Sequence, residues 1–442
     1  MNWQTLIDEV NIIDSYKRFG KVSRVVGLLI EAKGPVASVG DVCLIHLKNS
    51  HRPIQAEIVG FRDENVLLMP YEPAVRISPG CLVEATGRPF AVRVSEELVG
   101  QVCDSLGNPF SGKKLVKNFD WAPIQNAPPA PLQRPPISEP IELGVRSING
   151  LLTVGKGQRI GIFAGSGVGK STLMGMIARN TSADITIIAL IGERGREVNE
   201  FIEKDLGEQG KRKSIVIVAT SDQPALMRIK GAMTATALAE YFRSRGKHVL
   251  LMMDSLTRVA MSQREIGLAV GEPPTTKGYP PSVFAMLPRL LERTGTDKKG
   301  TITAFYTVLV DGDDMDEPIA DTARGILDGH IVLDRALAEK GQYPAVNLLK
   351  SISRVMPQIV SAEQLQAAAQ FRRLLAQYSD SEDLISIGAY KEGSSPLIDA
   401  AIRYYPKILD FLSQRETERV TLTEAKERLV NEFGKEAMAN GV

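Results

Sequence analysis

The chain has 442 residues, with 53 Lys+Arg against 52 Asp+Glu and a formal net charge of +1. At ~150 residues per domain that length predicts about three units with room for real cores. Charged residues at 24% and hydrophobic ones at 43% exclude a largely disordered chain. The even balance speaks against a nucleic-acid partner, because a nucleic-acid footprint draws on a clustered basic excess.

The longest apolar runs, Ile185–Ile191 and Val249–Met253, fall far below the ~18 residues of a membrane span. Met1-Asn2-Trp3-Gln4 lacks the basic and apolar regions of a signal peptide. Cys43, Cys81 and Cys103 form no CxxC pair, and His46, His51, His248 and His330 have no metal-ligand spacing. All seven read as packing or surface residues of a soluble protein in a reducing compartment.

Residues 1–20 place Leu6, Val10 and Ile13 at helical spacing, predicting a short amphipathic helix. From 21 to 122 short apolar runs such as Val22–Ile30 and Val66–Met69 lie between Gly, Pro and Asn, which predicts a small β-barrel. Residues 123–140 hold seven of the 25 prolines and read as an extended connector.

From 141 to 356 the texture is α/β. Apolar, β-branched runs at Arg159–Phe163, Ile185–Ile191, Ile215–Ala219, His248–Met253 and Ile302–Val310 alternate with helical stretches such as Ala225–Arg245. That pattern predicts a buried parallel sheet covered on both faces. From 357 to 442 strand signals stop. Ser361-Ala362-Glu363-Gln364 and Thr421-Leu422-Thr423-Glu424 read as capping boxes, and Ser395-Pro396 as a cap before a first-turn proline. A helical C-terminal domain is expected.

The sharpest motif is Ala164-Gly165-Ser166-Gly167-Val168-Gly169-Lys170-Ser171, between the apolar Ile160–Phe163 and the helix formers that begin with Thr172 and Leu173. Its glycines let successive backbone N–H groups face a phosphate, and the helix start adds its positive end. Lys170 is placed to reach the β- and γ-phosphates and Ser171 to ligate Mg²⁺, so the residues point to ATP with Mg²⁺. The first glycine of the usual pattern is Ala164, which requires a backbone angle open to L-residues.

A hydrolytic site needs a second carboxylate near the metal, and Asp254 ends the apolar run Val249–Met253. The same residue could instead cap the helix before Leu256. The attacking water needs an oriented base, for which Glu193 and Glu197, just after Ile191, both stand at a strand end.

At these residues the chain resembles the rotary ATPase α/β superfamily, and within it the flagellar and type III secretion export ATPases. Gly192-Glu193-Arg194-Gly195-Arg196-Glu197 is similar to the segment carrying the family's catalytic glutamate, and Asp254-Ser255-Leu256-Thr257-Arg258 to its Walker B strand end. Gly271–Phe284, Tyr343–Asn347 and Ser351–Arg354 are also family-like. The resemblance implies a P-loop parallel-sheet core between an N-terminal β-barrel and a C-terminal helical domain. It singles out Glu193 as the base, with Lys170, Arg194 and Arg354 beside it in the catalytic set. It gives Gly165 to Thr172 and Tyr343 to the nucleotide, the latter ring lying against adenine. It makes Arg354 a finger that reaches the neighbouring subunit's γ-phosphate, an effect worth ~10³–10⁵ in rate. Where synthase catalytic subunits carry a second aromatic, Arg415 and Glu416 stand here.

The function so implied is ATP hydrolysis by a homohexameric ring of a flagellar protein export apparatus, promoting chaperone release and delivery of substrates to a membrane gate. Thr275–Tyr279 and Ser386–Tyr390 favour the flagellar over the injectisome branch. Implied partners are a regulatory stalk-like protein at the N-terminal helix, a central stalk-like coiled coil, export gate proteins and chaperone–substrate complexes. The implied location is cytoplasmic and peripheral at the inner membrane. The rivals are a rotary synthase catalytic subunit, a hexameric RNA helicase and a non-hydrolysing scaffold. The scaffold would lack a base or a metal ligand, and neither is missing.

Overall fold

The computed structural model describes residues 17–48, 50–112, 119–310 and 314–434. The expected amphipathic helix falls largely on residues 1–16, outside the described ones.

Six strands, β1 (Phe19–Val26), β2 (Leu29–Lys33), β3 (Asp41–His46), β4 (Ile54–Arg62), β5 (Asn65–Pro70) and β6 (Leu82–Pro89), close into a barrel in the order β1-β2-β5-β4-β3-β6. Ile30, Ala32, Cys43, Ile45, Ile58 and Val83 point inward and fill it. The run Val22–Ile30 is a hairpin rather than one strand, because Gly27 turns the chain at φ +58°. Closure leaves the barrel no free edge, so the strands that follow Pro89 pair elsewhere. β7 (Ala91–Val94) pairs with β9 (Asp120–Pro123) as a separate ribbon, and β8 (Val102–Cys103) joins the edge of the central sheet.

The proline-rich stretch makes only one short turn, Pro131–Gln133, and lies against the central domain. There Arg134 Nη1 donates to Thr294 O at 2.8 Å and Thr296 Oγ1 to Pro135 O at 2.7 Å.

The central sheet is built from β10 (Arg159–Ala164), β11 (Ile185–Ile191), β12 (Ser214–Ala219), β13 (His248–Asp254), β14 (Gly295–Thr296), β15 (Thr301–Leu309), β16 (Gly329–Leu333) and β17 (Val346–Ser353), with β8 at one edge. Its order is β17-β16-β10-β15-β13-β11-β12-β8, with β14 paired to β15. From β16 to β8 neighbours run parallel, whereas β17 is antiparallel to β16. Every residue of β11 and β12 is buried, as helices on both faces require.

Three helices, Ala362–Ser386, Pro396–Leu412 and Leu422–Phe433, close the chain around Phe371, Phe411 and Phe433. Thr421 and Glu424 form the complete capping box. At the first helix the box is half formed. Ser361 accepts from Gln364 N, but the Gln364 side chain bonds Gly150 O and Thr153 Oγ1 instead, because it is buried against that turn. Ser395 caps without a side-chain bond, and Pro396 opens the helix. Among the described residues no helix is long and apolar enough to cross a membrane.

Candidate nucleotide site

β10, β15, β13 and β11 lie side by side and end on the same edge, where open parallel sheets bind ligands. β10 ends at the fully buried Ala164, which is not among the left-handed residues, so alanine is tolerated there. Gly165 to Val168 then turn the chain. Gly167 and Gly169 take φ +79° and +86°, the conformations that glycine adopts freely. Val168 anchors the loop in the core, while Ser166 and Gly167 are exposed. Gly169 caps the helix Lys170–Asn180, whose first turn presents Ser171 to solvent. The neighbouring Thr172 hydroxyl bonds Asp205.

Lys170 Nζ stands 2.6 Å from Asp254 Oδ1 and 3.4 Å from Glu193 Oε1. Asp254 is 4% exposed, and the helix after it is capped by Ser255, not by Asp254. Thr307 Oγ1, from the strand between β10 and β13, donates to the same Asp254 Oδ1 at 2.6 Å. Burial opposes the Lys170 charge, but Asp254 and Glu193 outweigh it and lift the ammonium above its ordinary value. Burial, with the nearby Asp254 charge, raises Glu193 to about 7 against the opposing pull of Lys170. Of the two glutamates the spacing offered, Glu193 is the one beside Lys170, and Glu197 shares a side-chain hydrogen bond with Glu193 that also raises it. Glu197 is exposed and accepts from Arg194. Arg194 itself has an 81% exposed side chain and pairs with Glu197, so it is not brought to Lys170.

Tyr343 reaches the loop from the other side. A Cβ placed on Gly169 would stand 3.5 Å from its ring. The ring is 48% exposed and lines a cleft of about 750 Å³ with Thr172, Pro344, Gln414, Arg415 and Glu416. Arg415 and Glu416 thus line the same cleft as the aromatic. Arg146, which the sequence reading missed, holds this wall: its backbone N–H donates to Gln414 Oε1 at 2.7 Å and its guanidinium to Asp410 O and Ser413 O. No local motif announces it, since its partners come from the C-terminal helices.

Arg354 lies elsewhere. β17 runs antiparallel, and Ser353 pairs with Gly329 at the amino end of β16. The carboxyl end of β16 is roughly 13 Å away at ~3.3 Å per residue. Arg354 is exposed there, with Nη2 3.4 Å from Arg324 O. The structure does not bring it to the Lys170 cluster of its own chain.

The barrel, the P-loop sheet and the C-terminal helices, in this order, match three family descriptions. These are the ATP synthase alpha/beta family beta-barrel domain over residues 22–87, its nucleotide-binding domain over 144–353, and the T3SS EscN ATPase C-terminal domain over 360–431. The flagellum-specific ATP synthase of Bacillus subtilis (strain 168) is 65% identical over 99% of this chain and 100% of its own length. The type 3 secretion system ATPase of Xanthomonas euvesicatoria is 51% identical over 93% of each chain. The assembled ATPase EscN from the enteropathogenic E. coli type III secretion system superposes with a TM-score of 0.88 at 46% identity, over 93% of this chain and 98% of that one. EscN has also been solved in complex with its central stalk EscO. The chain belongs to the ATP synthase alpha/beta family, within the group formed by flagellum-specific ATP synthases and type 3 secretion system ATPases.

Proposed function

We propose that this chain hydrolyses ATP with Mg²⁺ for a flagellar type III protein export apparatus. The carrying observation is the buried Lys170–Asp254–Glu193 cluster at the sheet edge beside the P-loop. The donor set fits Mg²⁺. Among the described residues no group of three or more His, Cys, Asp or Glu could hold a metal alone. Mg²⁺ needs no such cage, since it takes one or two protein oxygens and completes its shell with phosphate and water. Ser171 and Asp254 would supply those oxygens, and the ion when bound neutralises charge developing on the phosphates.

Gly165 to Gly169 cradle the phosphates, and Lys170 gains in them a further anionic partner. Thr172 stands at the mouth of the cleft, and Tyr343 stacks on the base. Glu193 as a carboxylate orients the attacking water and takes its proton. Arg354 serves the site of the adjacent subunit, which agrees with its place at the opposite end of β16. Arg194 is peripheral in one chain and joins the site only at a subunit contact.

Such sharing requires a ring, and we read it as a homohexamer that closes on ATP and reopens on hydrolysis. Its work is to release chaperones and pass export substrates to a membrane gate, from a cytoplasmic position peripheral to the inner membrane. A regulatory stalk-like partner at the N-terminus and a central coiled coil complete the assembly. The complex of EscN with its central stalk supports the latter.

Glu193→Gln is expected to lose at least 10²-fold in turnover while retaining ATP binding; unchanged hydrolysis would overturn the reading. The 51% identity to a secretion ATPase supports an injectisome role as the second reading. Deletion separates them: loss of motility marks the flagellar role, and loss of effector secretion with motility intact marks the other.

A further inference from the structure

Gln158 is fully buried in the turn that leads into β10. Its Oε1 accepts from Gly155 N at 2.8 Å, which fixes the orientation of the amide. Its Nε2 therefore faces the other way, donating to Asp328 O at 3.0 Å and to Ser353 Oγ at 3.1 Å. Ser353 is the residue before Arg354, and its hydroxyl donates onward to Thr153 O at 2.8 Å. The same carbonyl of Asp328 accepts the backbone N–H of Arg354 at 3.0 Å. Arg159 clamps the Asp328 carboxylate from below, through its backbone N–H at 3.1 Å, Nε at 2.9 Å and Nη2 at 3.1 Å.

Two elements far apart in sequence are thus tied through one carbonyl oxygen. A buried amide with both of its ends satisfied is costly to disturb, because each lost bond leaves a buried polar group unpaired. The Arg354 side chain stands outside this net, with Nη2 3.4 Å from Arg324 O at the end of the helix Pro318–Ile326, while its backbone is held at its own N–H and at Ser353 before it. That arrangement presents a long cation from a rigid base.

We propose that Gln158 and Asp328 are positioning residues for Arg354, setting the backbone from which it reaches the neighbouring subunit's nucleotide. The inference rests on the reading of Arg354 as a finger acting between subunits. It assigns to Gln158 an effect on the adjacent site, although Gln158 stands at the start of the strand that carries its own P-loop. A misplacement of about 1 Å at such a finger costs up to about 10²-fold in rate.

The test uses purified full-length chain with Mg²⁺ and ATP. Gln158→Met keeps the volume and removes the amide; Ser353→Ala removes the second link and serves where the first variant does not fold. Each is expected to lower kcat between tenfold and a hundredfold with the KM for ATP unchanged. Each is then mixed with Lys170→Ala subunits, which have no working P-loop but carry an intact Gln158, Ser353 and Arg354. Turnover per variant subunit is expected to recover, as it does for Arg354→Ala in the same mixture. If Arg354→Ala recovers and Gln158→Met and Ser353→Ala do not, the residues act on their own P-loop and the inference falls. If Arg354→Ala does not recover, the finger reading itself fails and takes the inference with it. Unchanged kcat in both variants also overturns it.

Discussion

Lys170 Nζ stands 2.6 Å from Asp254 Oδ1, and that oxygen also accepts the Thr307 hydroxyl at 2.6 Å. Both donors fall on one oxygen of a carboxylate that is 4% exposed. The carboxylate is therefore held in a single orientation. Three neighbouring strands cooperate in this: β10 delivers the loop that carries Lys170, β13 carries Asp254, and β15 between them carries Thr307. Orientation fixed before the ligand arrives is what makes a metal site selective.

Thr307→Val tests that orientation, because it keeps the branched shape and removes only the donor. A hydrogen bond to a charged group contributes about 1.5–3 kcal/mol, so the carboxylate loses roughly tenfold or more in preference for its present pose. The Mg²⁺ concentration for half-maximal ATPase activity is expected to rise by about that factor, and Thr307→Ser is expected to restore it. An unchanged Mg²⁺ dependence in the valine variant would show that Lys170 alone orients Asp254.

The pH profile follows from Glu193. Its pKa is raised to about 7, so below that pH the group is the neutral acid and too weak a base to take the proton of water. Activity is present above about 7 and is lost as pH falls through it. The value for free protein governs kcat/KM, whose acid limb is expected near 7. An acid limb of kcat/KM well away from 7, measured by steady-state hydrolysis between pH 5 and 9, would remove Glu193 from this role.

In the proposed site Tyr343 is the aromatic ring against the base, and Arg415 and Glu416 line the same cleft. Stacking on an aromatic ring is worth about 1–3 kcal/mol per base, which converts to a rise of roughly 5- to 150-fold in KM for Tyr343→Ala. Tyr343→Phe keeps the ring and is expected to stay within about twofold of the parent. With a single ring and flexible charged neighbours, GTP is expected to bind nearly as well as ATP. Competition binding with both nucleotides checks this, and strong preference for ATP would point to donors in the cleft that read the adenine edge.

The parts of this site that could be read from sequence are those whose chemistry is contiguous. The P-loop is one unbroken segment, and Asp254 shows as the single acid at the end of an apolar run. Glu193 shows by its place after Ile191, with Glu197 as the alternative that spacing leaves open. The family segment Gly192–Glu197 favours Glu193, and its place beside Lys170 agrees with that. Thr307 was hidden because it sits mid-strand in Ile302–Val310, where a threonine reads as a β-former; its importance comes from the strand order. Gln158 and Arg146 were hidden for the same reason, since their partners lie far along the chain. The hairpin within Val22–Ile30 and the half-formed cap at Ser361 failed differently. In each a local pattern gave way to burial, at Gly27 to the turn the barrel needs and at Gln364 to the carbonyl of Gly150.

The barrel is fixed to the central domain by a buried polar group as well as by apolar contact. Lys230, on the helix Ala225–Ser244, is 2% exposed and pairs with Glu57 of β4, which also accepts the Tyr71 hydroxyl at 2.8 Å. Leu29, Met69 and Tyr71 from the barrel pack around it against Leu226, Ile229 and Ile266. An ion pair in such a setting pays heavily for desolvation, so its removal as a pair differs from its disruption. Lys230→Ala leaves Glu57 buried and uncompensated, and is expected to cost about 3–5 kcal/mol. The double variant Lys230→Met with Glu57→Leu replaces both charges by apolar groups of similar volume and is expected to recover most of that loss, short of the parent by about 1–3 kcal/mol for the Tyr71 hydroxyl left without its acceptor. Thermal and urea denaturation of Lys230→Met, Glu57→Leu and the double give the coupling energy directly. If the two single losses add in the double variant, the pair contributes no mutual stabilisation, and the barrel is held by the apolar contacts around Tyr71 alone.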